Sequence, residues 1–401
     1  MNKSSLTFSM AVSLACCSSA FAAPQGSEVG PFRLFPSVGI SFQHNDNIGL
    51  QSDTTNDKAT SSAVTIFSPK AMLVSKRRGS TYSIGLGTQI GRYASSEIDN
   101  YEDVNFSANA DLAVSRIMGL SFGAYYLLGH DPRGSTDTGN NSSLDTFTTA
   151  GANALFSYGS QARIGFEGEV GYSSKNYNSY GGGFDADGVS AADRDNTNVA
   201  GRLFYRVMPK TRVFAEVEYQ DTDYTLTTSK QDSSQWGLNV GARWTATAKT
   251  SGTAKIGYVK RDYDSEKDAN GKIIQDFTGL AWQIGVQLKP LRQSTVDIYT
   301  GRTVSDSTGI GDFIDTKDLS VNWTHHWMPR LSTQLGLYYA NSTYEGDTRE
   351  DDLTSFNLGA TYKVMKRTTI GAGVTFANRD STKSTDEYDQ TVYMISINSA
   401  F

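Results

Sequence analysis

Apolar and polar residues alternate one for one along most of this chain. In VNFSANADLAVS, Val104, Phe106, Ala108, Ala110, Leu112 and Val114 share one face, and Asn105, Ser107, Asn109 and Asp111 share the other. TYSIGLGTQI sets Tyr82, Ile84, Leu86 and Ile90 against Ser83, Gly85, Gly87 and Gln89. GLSFGAYYLLG, QWGLNVGARW, TSFNLGATYKV and TTIGAGVTFAN repeat the pattern. A period of two over about ten residues predicts a strand with one apolar and one polar face. No stretch of similar length has the 3.6-residue period of a helix, so the expected fold is all-β.

The connections alternate between two kinds. SKRRGS, SRIMG, SYGSQ, VMPKT, TATAKT, KPLRQ, WMPRL and VMKRT are short and often basic. NDNIGLQSDTTNDKATS, GHDPRGSTDTGNNSS, KNYNSYGGGFDADGVSAADRDN and YDSEKDANGKII are longer and rich in Asp, Asn, Ser and Gly. The short turns recur about every 40 residues, so the repeating unit is one hairpin. VMPKTRVFAEVEY, WMPRLSTQLGLYY and VMKRTTIGAGVTF are versions of it. Eight such hairpins, an opening strand RLFPSVGISFQH and a closing strand EYDQTVYMISINSAF predict about 18 strands. The predicted fold is a transmembrane antiparallel up-and-down β-barrel with short periplasmic turns and longer extracellular loops. A barrel of that size has room for an aqueous lumen.

A soluble β-protein also alternates, and three further features favour the membrane. The first is a leader: MNK is followed by a short apolar run and by Ala20, Phe21 and Ala22, which predicts cleavage after residue 22 and a barrel over 23–401. Cys16 opens a competing lipoprotein reading, but Ser13 stands where that signal carries a large aliphatic residue. Cys16 and Cys17 are the only cysteines, so the mature chain is expected to lack disulfides and thiolate metal sites. The second feature is aromatic pairs near strand ends: Tyr125 with Tyr126, Trp236 with Trp244, Trp323 with Trp327, and Tyr338 with Tyr339. The third is the C-terminus, where Tyr393, Ile395, Ile397 and the terminal Phe401 share a face. This looks like the recognition strand read by the barrel assembly machinery of Gram-negative outer membranes, with Ser399 as a weaker position. The net charge of −6 and scattered Lys and Arg disfavour nucleic acid. No cofactor is expected.

The stretch FRLFPSVGISFQHNDNIGL, with Arg33, Leu34, Phe35, Pro36, Asp46 and Asn47, resembles the opening of the putative beta-barrel porin 2 family. The overall layout matches that family along the mature chain. The resemblance implies an outer-membrane protein encoded beside exopolysaccharide or capsule genes. Its partners would be outer-membrane lipid, a secreted polysaccharide and periplasmic export proteins.

Charges inside the strands mark the candidate site. Arg163, Glu167 and Glu169 fall on one face of QARIGFEGEVGY, opposite Ile164, Phe166, Val170 and Tyr172. Arg202 and Arg206 oppose Val199, Leu203, Tyr205 and Val207; Glu216, Glu218 and Gln220 oppose Val213, Ala215, Val217 and Tyr219. Arg243, Lys255 and Asp297 fall on the same side. A Lys or Arg facing lipid at mid-bilayer costs about 2–4 kcal/mol, so all of these are predicted to face the lumen, with the two acidic pairs flanking Arg202 and Arg206. They either hydrate the wall or set the selectivity of a constriction. The expected function is passage of a hydrophilic solute through a monomer, by polysaccharide export or as a small-solute porin. A third reading, an outer-membrane hydrolase, would use His130 with Asp131, or Glu216 with Glu218 as an acid–base pair. His325 and His326 point to opposite faces. The oxygen-rich segments Asp185 to Gly188 and Asn45 to Asn47 lack the rest of a calcium loop.

Overall fold

The computed structural model describes residues 26–52, 59–135, 144–245, 249–268, 271–307 and 311–401. The predicted leader, with Cys16 and Cys17, lies outside the described residues. Each alternating segment forms a strand: β1 (Ser27–Val29), β2 (Phe32–Asn45), β3 (Ser62–Arg77), β4 (Ser80–Tyr93), β5 (Tyr101–Ala113), β6 (Met118–Asp131), β7 (Asp145–Tyr158), β8 (Ile164–Ser179) and β9 (Arg194–Met208). There follow β10 (Thr211–Tyr224), β11 (Ser233–Trp244), β12 (Thr250–Tyr263), β13 (Phe277–Leu291), β14 (Ser294–Asp306), β15 (Phe313–Met328), β16 (Leu331–Glu345), β17 (Glu350–Lys363), β18 (Thr368–Ser381) and β19 (Tyr388–Ala400). The described helical structure is two 3₁₀ turns, Glu97–Asp99 and Ser384–Asp386.

From β2 onward every strand pairs antiparallel with the next, and β19 returns to β2, with Val392 opposite Asn45 and Ala400 opposite Ser37. The result is a closed barrel of 18 strands. Seven of the eight short turns expected from the sequence lie at one end of it, and the eighth, TATAKT, falls partly outside the described residues. In one of the two-residue turns Arg78 (φ 47°) and Gly79 (φ 86°) both adopt left-handed backbone between β3 and β4. The sequence pattern did not predict β1, a three-residue strand that folds back on Phe32, Arg33 and Leu34.

The side chains show which solvent lies on each side. Leu238 on the outer face is 63% exposed, whereas Glu216 on the inner face is 2% exposed. Phe42, Leu86, Leu203, Val240, Tyr258 and Ile395 are likewise exposed and outward. A water-soluble protein rarely presents so continuous an apolar surface. In hydrocarbon the same surface is favourable, each large aliphatic side chain contributing about 1.5–3 kcal/mol when removed from water. Backbone pairing around the closed ring leaves no open edge in the lipid.

The aromatic girdles are present, with one correction. Trp236 and Trp244 both face outward, at opposite ends of β11, and Trp236 packs 4.6 Å from Tyr219, centroid to centroid. Trp323 and Trp327 flank the outward His325 at 5.5 and 4.4 Å near the short-turn end of β15. Consecutive tyrosines, however, cannot both reach lipid, because successive side chains alternate. Tyr126 faces out while Tyr125 turns inward over Gly151; Tyr339 faces out while Tyr338 packs inside against Ala340, Leu353, Ala377 and Tyr388.

Candidate functional site

The charged residues converge on the inner wall of β8 to β12. Register decides which of them meet. Arg202 on β9 lies opposite Glu167 on β8 and Glu216 on β10, and Glu216 lies opposite Asn239 on β11. The Arg202 guanidinium donates through Nη1 to Glu169 at 2.9 Å and through Nε to Glu216. The Lys255 ammonium, reaching in from β12, donates to Glu216 and to Glu218 at 2.8 Å each. Asn239 Nδ2 completes the set, 3.2 Å from Glu216 and 2.9 Å from Glu218. Glu169, Arg202, Glu216, Lys255 and Glu218 thus form one chain of alternating sign across five strands. Small residues make room for it. A Cβ on Gly257 would sit 2.1 Å from the Leu238 carbonyl oxygen and 2.2 Å from Asn239 Oδ1, so any side chain there would displace both the β11 backbone and the amide that holds the two glutamates.

This geometry answers the question raised by the Glu216 and Glu218 pair. Both carboxylates share one ammonium and one amide, and Glu216 is buried beneath them. That arrangement neutralises and fixes the pair; it does not leave two carboxyls flanking a space for a scissile bond. The other enzymatic pairing is not formed either. His130 Nδ1 lies 2.9 Å from Asp103 with its ring stacked on Tyr101 at 4.0 Å, while Asp131 accepts from Tyr177 Oη at 3.0 Å.

Two predicted members, Arg163 and Arg206, are placed differently from expectation. Arg163 precedes the first residue of β8, so strand parity does not govern it; its guanidinium lies against the outward Tyr205 and donates to that hydroxyl, 2.9 Å from Nε. Arg206 lies opposite Arg212, not an acid, and donates to the turn carbonyls of Ser160 (2.8 Å) and Pro209 (3.4 Å). Asp297 is exposed to the lumen and accepts from Gln287 at 2.8 Å, away from the network. Arg243 does face inward and donates to Glu167 at 3.1 and 3.3 Å.

Several participants went unpredicted. Phe204 and Phe214 point inward between the charges, 5.3 Å apart, and Phe204 is only 1% exposed. Arg212 and Arg243 lie over the Phe204 ring at 4.5 and 4.9 Å. Nearer the long loops, Asp306 on β14 accepts from Arg261 on β12 and lies 3.1 Å from Arg194 on β9. That triad joins strands five places apart in the sheet, so it forms a chord across the inner wall. Hydrophobic alternation could flag an inward charge, but an inward Phe breaks the rule that parity rests on. Among the described residues no group of three His, Cys, Asp or Glu is placed to hold a metal ion. Asp185 Oδ1 instead accepts from the amides of Asp187 and Val189, and the Asn47 side chain bonds the backbone of Gln51 and Asp389.

A search of curated protein sequences found no match. Among solved structures the chain is similar to OccAB4 of Acinetobacter baumannii, with 12% identity, coverage of 95% of this chain and 100% of that one, and a TM-score of 0.50. It also aligns with the outer membrane protein opdK of Pseudomonas aeruginosa, at 12% identity, coverage of 92% and 99%, and a TM-score of 0.49. At such identities the likeness extends to the fold alone. The family model described as putative beta-barrel porin 2 matches residues 20–401. With the match spanning the whole barrel, an apolar outer belt and a charged inner wall, this chain belongs to the putative beta-barrel porin 2 family of outer-membrane barrels.

Proposed function

We propose that the barrel is a non-enzymatic channel carrying a hydrophilic solute across the outer membrane, and that the solute is a polysaccharide leaving the cell. The observation that supports passage is the inner wall of β8 to β12, where charged groups are paired along a surface turned away from lipid. Over its middle, where Glu169, Arg202, Glu216, Lys255 and Glu218 alternate in sign, the partly exposed Glu169 and Glu218 offer water and a hydroxylated solute favourable contact while the pairing leaves little net field. The export direction rests on the family resemblance, which links such barrels to exopolysaccharide and capsule genes. In this reading residues 1–22 are a leader removed on export, periplasmic export proteins deliver the polymer, and Tyr393, Ile395, Ile397 and Phe401 address a monomeric barrel to the assembly machinery.

One observation favours a second reading, a porin for small solutes. The chord formed by Arg194, Asp306 and Arg261 narrows the passage near the long loops, which suits a small solute better than a polymer. Planar-bilayer recording separates these cases. Both predict discrete conductance steps, and a protein that inserts but never conducts refutes both. Neutral dextrans of graded size then report the bore: exclusion of all but the smallest favours the small-solute porin. Loss of surface polysaccharide from a deletion strain, with unchanged uptake of small sugars, supports export. Polymer cleavage that disappears with His130→Ala would make the protein a hydrolase instead.

A further inference from the structure

The periplasmic ends of β9, β10 and β11 carry a row of three arginines. Arg212 lies opposite Arg206 on one side and opposite Arg243 on the other, and all three face inward. Like charges directly opposite one another in a sheet are destabilising, so a row of three requires an explanation. Protein anions supply only part of one. Glu167 serves Arg243, and Arg206 is anchored by the carbonyls of Ser160 and Pro209, which are neutral. Arg212 has no hydrogen bond or ion pair among the described residues; its guanidinium rests on the Phe204 ring. Three cations and one carboxylate leave two positive charges uncompensated at this level of the wall.

The platform beneath them is rigid. Phe204 is held by Phe214 and covered by two guanidiniums, and Phe214 fits because its neighbour across β11 is glycine. A Cβ on Gly241 would lie 2.5 Å from Phe214 Cζ. Stacking on a ring occupies the face of a guanidinium and leaves its N–H edge free to donate, and that edge matches the two oxygens of a carboxylate. The geometry points to an anion-binding site formed by Arg206, Arg212 and Arg243 at the periplasmic mouth, selecting solutes that carry a carboxylate. The inference rests on the channel reading for its biological sense but not for its chemistry. A carboxylate of this kind has two sources, an acidic sugar within a polymer and a small free organic acid.

The test is calorimetric titration of the folded barrel in detergent at low ionic strength, using galacturonate, trigalacturonate and glucose as probes. The wild type is expected to bind at least one of the two acids and not glucose. Binding of trigalacturonate alone assigns the site to polymer; binding of both acids assigns it to the free carboxylate. Arg212→Gln removes one charge-assisted pair, which corresponds to an affinity loss of roughly tenfold. Thr253→Glu keeps all three arginines and adds a carboxylate opposite Arg243, the next position in the row, and is expected to weaken binding similarly. No binding of either acid by the wild type overturns the site, as does a change of less than about threefold in whichever of these variants folds. A barrel that binds acid without conducting retains the site and loses the channel; one that conducts without binding does the reverse.

Discussion

Glu216 is the residue on which the inner-wall network depends, and its replacement gives a sharp test. The carboxylate is 2% exposed and accepts from both Arg202 and Lys255, whereas the Glu218 side chain is 35% exposed and shares only Lys255 and Asn239. Glu216→Gln leaves two cations facing a neutral amide in a site nearly closed to water. Removing one partner of a buried ion pair costs about 3–5 kcal/mol, and the hydrogen bonds an amide oxygen still accepts return part of that, so we expect a loss of about 2–4 kcal/mol. Glu218→Gln removes a partly hydrated charge and is expected to cost less than about 1 kcal/mol. Lys255→Met in the Glu216→Gln background should cost less than in the wild type, because the ammonium has already lost its buried partner; the coupling is expected at about 1–3 kcal/mol. Reversible urea unfolding in lipid vesicles, followed by tryptophan fluorescence, measures the wild type and all four variants. Equal losses for the two Glu→Gln variants, or a coupling near zero, would refute the claim that this network is closed to water and internally paired.

Three further outcomes follow from the same geometry. Gly241→Val places a branched side chain 2.4 Å from the Ala254 carbonyl oxygen and 2.5 Å from Phe214 Cζ, so it should destabilise by about 1–3 kcal/mol or more in the same assay, with Phe214→Ala in the same chain recovering only the part due to the ring. Leu238→Arg puts a guanidinium on the lipid face and should cost about 2–4 kcal/mol, whereas Asn105→Arg, at an exposed inward position in the middle of β5, should be better tolerated; comparable losses would place the bilayer elsewhere. Brominated lipids should quench Trp236, Trp244 and Trp327 when the bromines sit near the headgroups and much less when they sit at mid-chain, read on single-tryptophan variants.

The fold was legible because a barrel repeats two local signals, the two-residue period and the alternation of short and long connections, and neither requires knowledge of distant contacts. Parity also predicted correctly which way Glu167, Glu216, Glu218, Arg243 and Lys255 face. It could not predict which of them meet. Pairing across strands depends on how far each strand slides past the next, and that slide is fixed at the turns. The register shifts between Thr211 and Arg212, so Arg212, which the sequence pattern did not mark as inward, becomes the centre of a row of arginines. Arg163 shows the opposite error, since parity was extended one residue past the start of β8. Phe204 and Phe214 escaped notice because an inward aromatic looks from sequence like an interruption of the pattern, and its reason is visible only once Gly241 and two guanidiniums surround it.

The ladder between β19 and β2 has a consequence for how the molecule comes into being. Val392 must find Asn45 and Ala400 must find Ser37, so the seam joins the first barrel strand to be synthesised to the last. Bringing together segments separated by nearly the whole chain costs about 5 kcal/mol in loop entropy if nothing between them is ordered, and far less once sixteen intervening strands have curled into an arc. Zippering from neighbour to neighbour is therefore the economical route, and the cylinder shuts only when β19 reaches β2. Until then two unpaired strand edges exist, and the unclosed protein has to be shielded from other chains. A chain lacking β19 would thus be an open ribbon with permanent adhesive margins rather than a slightly smaller pore.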